Sequence, residues 1–296
     1  MVIAALFFSV MGVFVKLAGE RLSSHQIVFA RSFVALILSY AALRHARIRP
    51  WGNNKRLLLL RGTLGFASLS CWFYAITHLD LADAMVIQFT NPLFAALLAA
   101  VWLRERLTWR ELTAAAASLT GVALVAQPTF LVGTASGTPD PFAVTIALLG
   151  AIGSGFTYVV IRKLRETDEG LVVVFYFPLI GTPLAIPAMW GNAVWPTPVE
   201  WLLLLGVGVT VQLAQVHMTR GLHKETASRA TSVSYLQVAL AFVWGILIFG
   251  EYPSWTSILG AALIVGSVLG VVLRPFSRPP SSSAGPHPPA PEPGAR

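Results

Sequence analysis

Leu103-Arg104-Glu105-Arg106-Leu107-Thr108-Trp109 closes one apolar run and opens the next, and Phe249-Gly250-Glu251-Tyr252-Pro253-Ser254-Trp255 does the same later in the chain. Glu105 recurs as Glu251 and Trp109 as Trp255, each 146 residues on. The same displacement carries Lys16 to Arg162, Ala84 to Ala230, Ala95 to Ala241 and Ala115-Ala116 to Ala261-Ala262. One offset, without a gap from the first apolar run to the last, marks a duplicated membrane unit.

The solvent of that unit is lipid. Of 296 residues 55% are hydrophobic and 11% charged, with a mean hydropathy of +0.70. A water-soluble domain carries about 25% charged residues, so this chain lacks the charge to cover a wet surface. Its net charge of +8 sits in short segments between apolar runs. That is the basic-loop bias of a membrane protein rather than a nucleic-acid footprint. The single cysteine, Cys71, excludes an internal disulfide framework and a four-cysteine metal site. The run from Met1 to Ala18 has no basic lead and no A-x-A cleavage site, so it reads as a first span.

A spanning helix needs about 20 mostly apolar residues. Ten segments qualify, at roughly 1–18, 25–43, 56–77, 81–103, 109–127, 141–162, 170–190, 199–220, 227–249 and 254–274. They divide into a first repeat over 1–130 and a second over 141–274. Residues 275–296, rich in Pro, Ser and Ala, read as a disordered tail. Lys and Arg gather after every even-numbered span: Arg44 to Arg56, Arg104 to Arg110, Arg162 to Arg165 and Arg220 to Arg229. Segments 128–140 and 191–198 carry none. Both termini are therefore expected in the cytoplasm. Each repeat has an odd number of spans, so the two copies should be inverted about an axis in the membrane plane, the architecture of alternating-access carriers.

The runs Tyr74-Ala75-Ile76, Leu81-Ala82-Asp83-Ala84 and Leu103 to Trp109, with Ala227-Ser228-Arg229-Ala230 and Phe249 to Trp255 as second copies, resemble the drug/metabolite transporter superfamily. The likeness is to its ten-helix group with two EamA-type domains. Ile27-Val28-Phe29-Ala30-Arg31-Ser32 resembles that family's second helix. Arg61-Gly62 followed by Gly65 is similar to the third helix of the branch holding the solute-carrier 35 G group and S-adenosylmethionine-type carriers. The resemblance implies an all-α membrane fold, a cavity between the repeats lined by Gln88, Asn91, Tyr158, Gln215 and Gln237, and a transport function. It leaves the substrate open, because members carry amino acids, nucleotide sugars, cofactors and drugs. A bacterial inner membrane is the expected location.

Polar groups at membrane depth are costly, so they are the site candidates. Ala84, Gln88, Asn91, Ala95 and Ala99 share one face of the fourth span, and the offset maps them onto Ala230, Ser234, Gln237, Ala241 and Gly245 of the ninth. Small residues on such a face allow close helix packing, whereas an amide at depth needs partners or a hydrated cavity. Pro92 frees a carbonyl near Gln88, as a ligand contact or a plain kink. The ninth span has Val238 there instead. Gly208, Gln212, Gln215 and Thr219 share a face of the eighth span. Ser154, Tyr158, Trp72 and Tyr235 add hydroxyls and aromatics suited to a small, partly polar organic molecule. Arg31, about two turns inside the second span, must snorkel, pair or meet an anion. Its fork suits a carboxylate, while the peripheral place of that span in the related fold favours a structural role.

All 13 acidic residues lie in loops, at span ends or in the tail. Without a mid-membrane carboxylate to trade a proton for a lipophilic cation, the expected cargo is neutral, zwitterionic or anionic. Active ΔpH-driven pumping of a quaternary-ammonium dye by reconstituted protein would exclude that expectation. Glu105 and Glu251 are expected to cap helix ends and pair with nearby Arg or backbone. The chain lacks a phosphate-binding loop with its lysine, and Gly153-Ser154-Gly155 lacks the nucleophile-elbow pattern. No catalytic residue, cofactor, metal or nucleic-acid partner is expected. The expected partners are a small-molecule substrate and membrane lipid. A channel or a lipid flippase would also be lined by such residues; saturable counterflow separates a carrier from a channel.

Overall fold

The computed structural model of the chain describes residues 1–105, 107–128, 140–190, 193–250 and 254–272. The candidate tail, Arg106 and Glu251 lie outside them. The first half holds α1 (Val2–Ala18), α2 (Ser24–His45), α3 (Lys55–His78), α4 (Leu81–Gln88), α5 (Asn91–Trp102) and α6 (Trp109–Ala126). The second holds α7 (Pro141–Leu164), α8 (Gly170–Met189), α9 (Pro198–Lys224), α10 (Ala227–Ser232), α11 (Leu236–Phe249) and α12 (Trp255–Val272). Among the described residues there is no strand. Among the described residues eight spans are long and apolar enough to cross a membrane, with α4–α5 and α10–α11 each counted as one. Of the other two helices, α1 is shorter and α6 begins on Trp109-Arg110-Glu111.

The opening heptapeptide works as a helix boundary. Thr108 caps α6: its side chain accepts from the Glu111 amide at 3.3 Å, and the Glu111 carboxylate accepts the Thr108 amide at 3.3 Å. Large apolar side chains face outward at mid-span, with Ile37 52% and Leu149 55% exposed. Trp109 and Trp255, related by the offset, stand exposed at helix starts, as does Trp195 in a loop. This is the wetting pattern of a lipid-facing belt with aromatic rings at the interface.

The fourth and ninth spans are both broken. Pro92 sits in the first turn of α5, and Phe89-Thr90 form the joint, where the Thr90 hydroxyl donates to the Ile87 carbonyl at 2.6 Å. Pro92 has no counterpart in the ninth span, where Val238 takes its place. The ninth span breaks at the matching place without proline, through a 3-10 turn at Val233–Tyr235. A run of hydroxyls accompanies it: Thr231, Ser232 and Ser234 each donate to a carbonyl one turn back, at 2.8, 2.9 and 2.5 Å. Such bonds compete with the helical ladder.

Small residues set the helix crossings. A methyl group on Gly155 of α7 would lie 2.8 Å from the Ala95 nitrogen and 2.9 Å from the Asn91 oxygen. Gly121 of α6 and Gly260 of α12 face each other's carbonyls, at 2.7 and 2.6 Å from such a methyl, and Ser118 bonds Ser267 at 2.6 Å beside them. Gly62 packs on Ile180, and Gly208, its mate by the offset, packs on Val34. The principal partners are α3 with α7, α1 with α9, α6 with α12 and α2 with α8.

Candidate functional site

Six of the ten candidate residues meet at one cavity of about 190 Å³: Arg31, Trp72, Gln88, Ser154, Tyr158 and Gln215. Its wall comes from α1, α2, α3, α4, α7, α8 and α9, and Phe177, Arg61, Ser68 and Thr157 complete its polar and aromatic lining. The break after Gln88 leaves that side chain at a helix end, where its amide donates to the Ser154 hydroxyl at 3.3 Å. Gln215 accepts from an Arg61 terminal nitrogen at 3.0 Å. Both amides are thus held by neighbours while facing the cavity.

Arg61 was legible in the sequence only as part of a motif, yet it is the most buried charge of the site, at 2% exposure. Its guanidinium carbon lies 4.9 Å from the Phe177 ring centroid, and that of Arg31 lies 5.9 Å from the same ring. The Nε atoms of both arginines are enclosed without a hydrogen-bond partner. Phe177 is the offset mate of Arg31, so one crossing of α2 and α8 joins the two. A second charge inside a span was the signal available for Arg61.

The other four candidates stand apart from this cavity. Gln212 is buried and accepts from the Ser39 hydroxyl at 3.0 Å, tying α9 to α2. Asn91 is buried against α7 beside Gly155, with its side-chain oxygen unpartnered. Gln237, its mate by the offset, opens α11 but is not among the residues lining the central cavity. Tyr235 is fully enclosed, 6.1 Å from the Phe89 ring, and its hydroxyl has no partner. Losing an orphaned hydroxyl relieves a desolvation cost of about 1 kcal/mol. Tyr235→Phe should therefore melt at or above the parent temperature and keep its flux. Lowered flux at an unchanged melting temperature would return this hydroxyl to the site.

The two ends of the bundle differ. At the end rich in Lys and Arg, Glu105 accepts from Arg162 at 2.9 Å and from the Ala227 amide at 2.9 Å. Arg162 also donates to the Leu222 and His223 carbonyls, at 3.0 and 3.1 Å. Nearby, Asp168 accepts the Asn53 and Asn54 amides at 2.5 and 3.1 Å. At the other end, Lys16 and Leu81, the offset mates of Arg162 and Ala227, line an open cavity of about 640 Å³ with Gln127, Trp244 and Ser254. There the Lys16 ammonium lies 3.9 Å over the Phe249 ring. A further cavity of about 370 Å³ between α2, α3 and α8 shares Leu69 with the central one. Among the described residues no cluster of His, Cys, Asp and Glu could hold a metal ion.

Comparison with known proteins gives concordant matches. The model of the EamA-like transporter family matches residues 1–127 and 141–273. The pseudopaline exporter of Pseudomonas aeruginosa is 35% identical over 265 residues, covering 89% of this chain and 91% of its own. Solute carrier family 35 member G1 of Homo sapiens is 28% identical, covering 92% and 77%. The S-adenosylmethionine uptake transporter of Rickettsia felis is 23% identical, covering 87% and 85%. A crystal structure 18% identical in sequence superposes with a TM-score of 0.78 over 92% of this chain and 96% of its own, which carries the fold alone.

Proposed function

The chain belongs to the EamA-like transporter family of multi-pass membrane proteins, and from that membership we propose that it is a secondary carrier. It moves a small polar organic solute, such as an amino acid or a related metabolite, across a bacterial inner membrane by alternating access. The observation that carries this reading is the convergence of Gln88, Ser154, Tyr158, Gln215, Arg31 and Trp72 on one cavity. Amides and hydroxyls supply directional hydrogen bonds, the aromatics supply contact area, and no chemical step is required.

Two repeats, 1–130 and 141–274, related by inversion, provide the two conformations. Support comes from the pairing of helices. Exchanging each residue for its offset mate turns the α3–α7 contact into α9–α1, and leaves α2–α8 and α6–α12 unchanged. The same exchange turns Gly62 on Ile180 into Gly208 on Val34. It also turns Arg162, bonded to Glu105 at the basic end, into Lys16 at the other end. We read this conformation as closed at the basic, cytoplasmic end, where Glu105 joins Arg162 and the Ala227 amide. Met1 packs beside Gly221 at the basic end, in keeping with a cytoplasmic N-terminus.

Counterflow tests the reading. Proteoliposomes preloaded with solute should accumulate labelled solute transiently, with saturation; a linear, conductive flux would mean a channel. Gln88→Ala and Gln215→Ala should each lower flux about tenfold, the worth of one good hydrogen bond, at unchanged membrane expression. Gln212→Ala strands the Ser39 hydroxyl instead, so it should lower the melting temperature and spare the affinity for solute.

A further inference from the structure

The central cavity holds an imbalance of charge that its own lining leaves unsettled. Two guanidinium groups face one aromatic ring, Phe177, from α2 and α3. Among the described residues no Asp or Glu lines the cavity. Arg61 has one neutral partner, the Gln215 oxygen, and both Nε donors are enclosed with nothing to donate to. A guanidinium presents five donors in a flat fork matched to a carboxylate. An unpaired charge at membrane depth is costly, and such groups pair or mark the path of a substrate. A ring face softens each charge, but it accepts no N–H in the plane of the fork, so the donors remain unmet.

We infer that the cavity binds a small organic dianion, with one carboxylate on the Arg61 fork and the second on the Arg31 fork, and its carbon skeleton against Phe177 and Trp72. Gln88 and Ser154, already bonded to each other, lie on the same wall to meet a hydroxyl or amine on that skeleton. Because both arginines approach one ring, the two carboxylates are separated by a short chain, not by an extended molecule. The bound anion neutralises the cavity, so the loaded site switches the side it faces with its charge cancelled, whereas the empty site carries two positive charges. That difference favours obligatory exchange over uniport. The inference rests on the carrier reading and names the class of its cargo.

Binding and flux are measured separately. Purified full-length protein is melted in detergent with succinate, glutarate and adipate, and with the monomethyl ester and diamide of each, at matched ionic strength. At least one dicarboxylate should raise the melting temperature in a saturable way, its monoester should bind about tenfold more weakly, and its diamide weakly or not at all, since each lost charge-assisted contact costs about one decade. Arg61→Gln and Arg31→Gln should each reduce the dicarboxylate to the affinity of the monoester, and Arg61→Lys should recover part of the loss. If Arg61→Gln fails to fold, Arg31→Gln with the ester series decides. Equal stabilisation by diamide and diacid, by sulfate and diacid, or by none of the series overturns the inference. Counterflow of a neutral solute that ignores both substitutions would overturn it too and leave the carrier reading standing. Dicarboxylate binding without counterflow would keep the inference and remove the carrier.

Discussion

Glu105→Ala should open the basic end of the carrier. The carboxylate holds three elements together, because Arg162 ends α7, Ala227 starts α10 and Glu105 follows α5. Both side chains of the ion pair are largely shielded, at 8% and 14% exposure. Removing one partner of a buried pair costs about 3–5 kcal/mol; at this partial exposure about 2 kcal/mol is the fair figure, close to thirtyfold in an equilibrium. The loss falls on the conformation that contains the pair, so it appears as a population shift. The readout is the labelling of Ser154→Cys in a Cys71→Ser background by an impermeant maleimide. In the parent, reagent should reach the cavity from the end lined by Lys16 and Leu81. With Glu105→Ala, labelling from the basic end should rise at least tenfold, and Glu105→Gln, which keeps an acceptor for the Ala227 amide, should fall between. Unchanged sidedness in Glu105→Ala would make the pair a static cap.

Gly155→Val should abolish the folded protein. The new Cβ would lie 2.8 Å from the Ala95 nitrogen, 2.9 Å from the Asn91 oxygen and 3.0 Å from the Phe94 Cβ. Two of these are backbone atoms, which cannot turn aside, so α5 and α7 must separate. Overpacking costs about 1–3 kcal/mol where side chains can adjust, and more where they cannot. The expected result is loss of monodisperse protein at normal transcript level. Gly266→Ala is the control, since nothing lies within 4 Å of its added methyl. Helix propensity there favours Ala by up to about 1 kcal/mol. A Gly155→Val protein that melts with the parent would mean that the two helices do not cross closely.

Much of this protein was legible residue by residue. The spans follow from runs of apolar side chains, and their observed bounds lie within four residues of those expected, as with 25–43 against Ser24–His45 and 199–220 against Pro198–Lys224. The broken fourth span was written in Pro92; the broken ninth was hidden, because its hydroxyls look like any polar turn of helix until they bond backward. Gln212 and Gln215 share a helix face, yet one ties α9 to α2 through Ser39 and the other holds Arg61 at the cavity. Periodicity places both on the same stripe and is silent about what stands opposite.

Composition and apolar length therefore determined the solvent and the spans, since each is a sum over local residues. The tertiary structure alone decided which buried polar groups became a site. Arg61, Arg31 and Phe177 come from three helices and two halves of the chain, and their meeting depends on the angle and depth at which those helices cross. Those crossings are fixed by contacts such as Gly62 on Ile180 and Gly155 on Asn91. They involve residues more than 60 positions apart, and no local pattern encodes them.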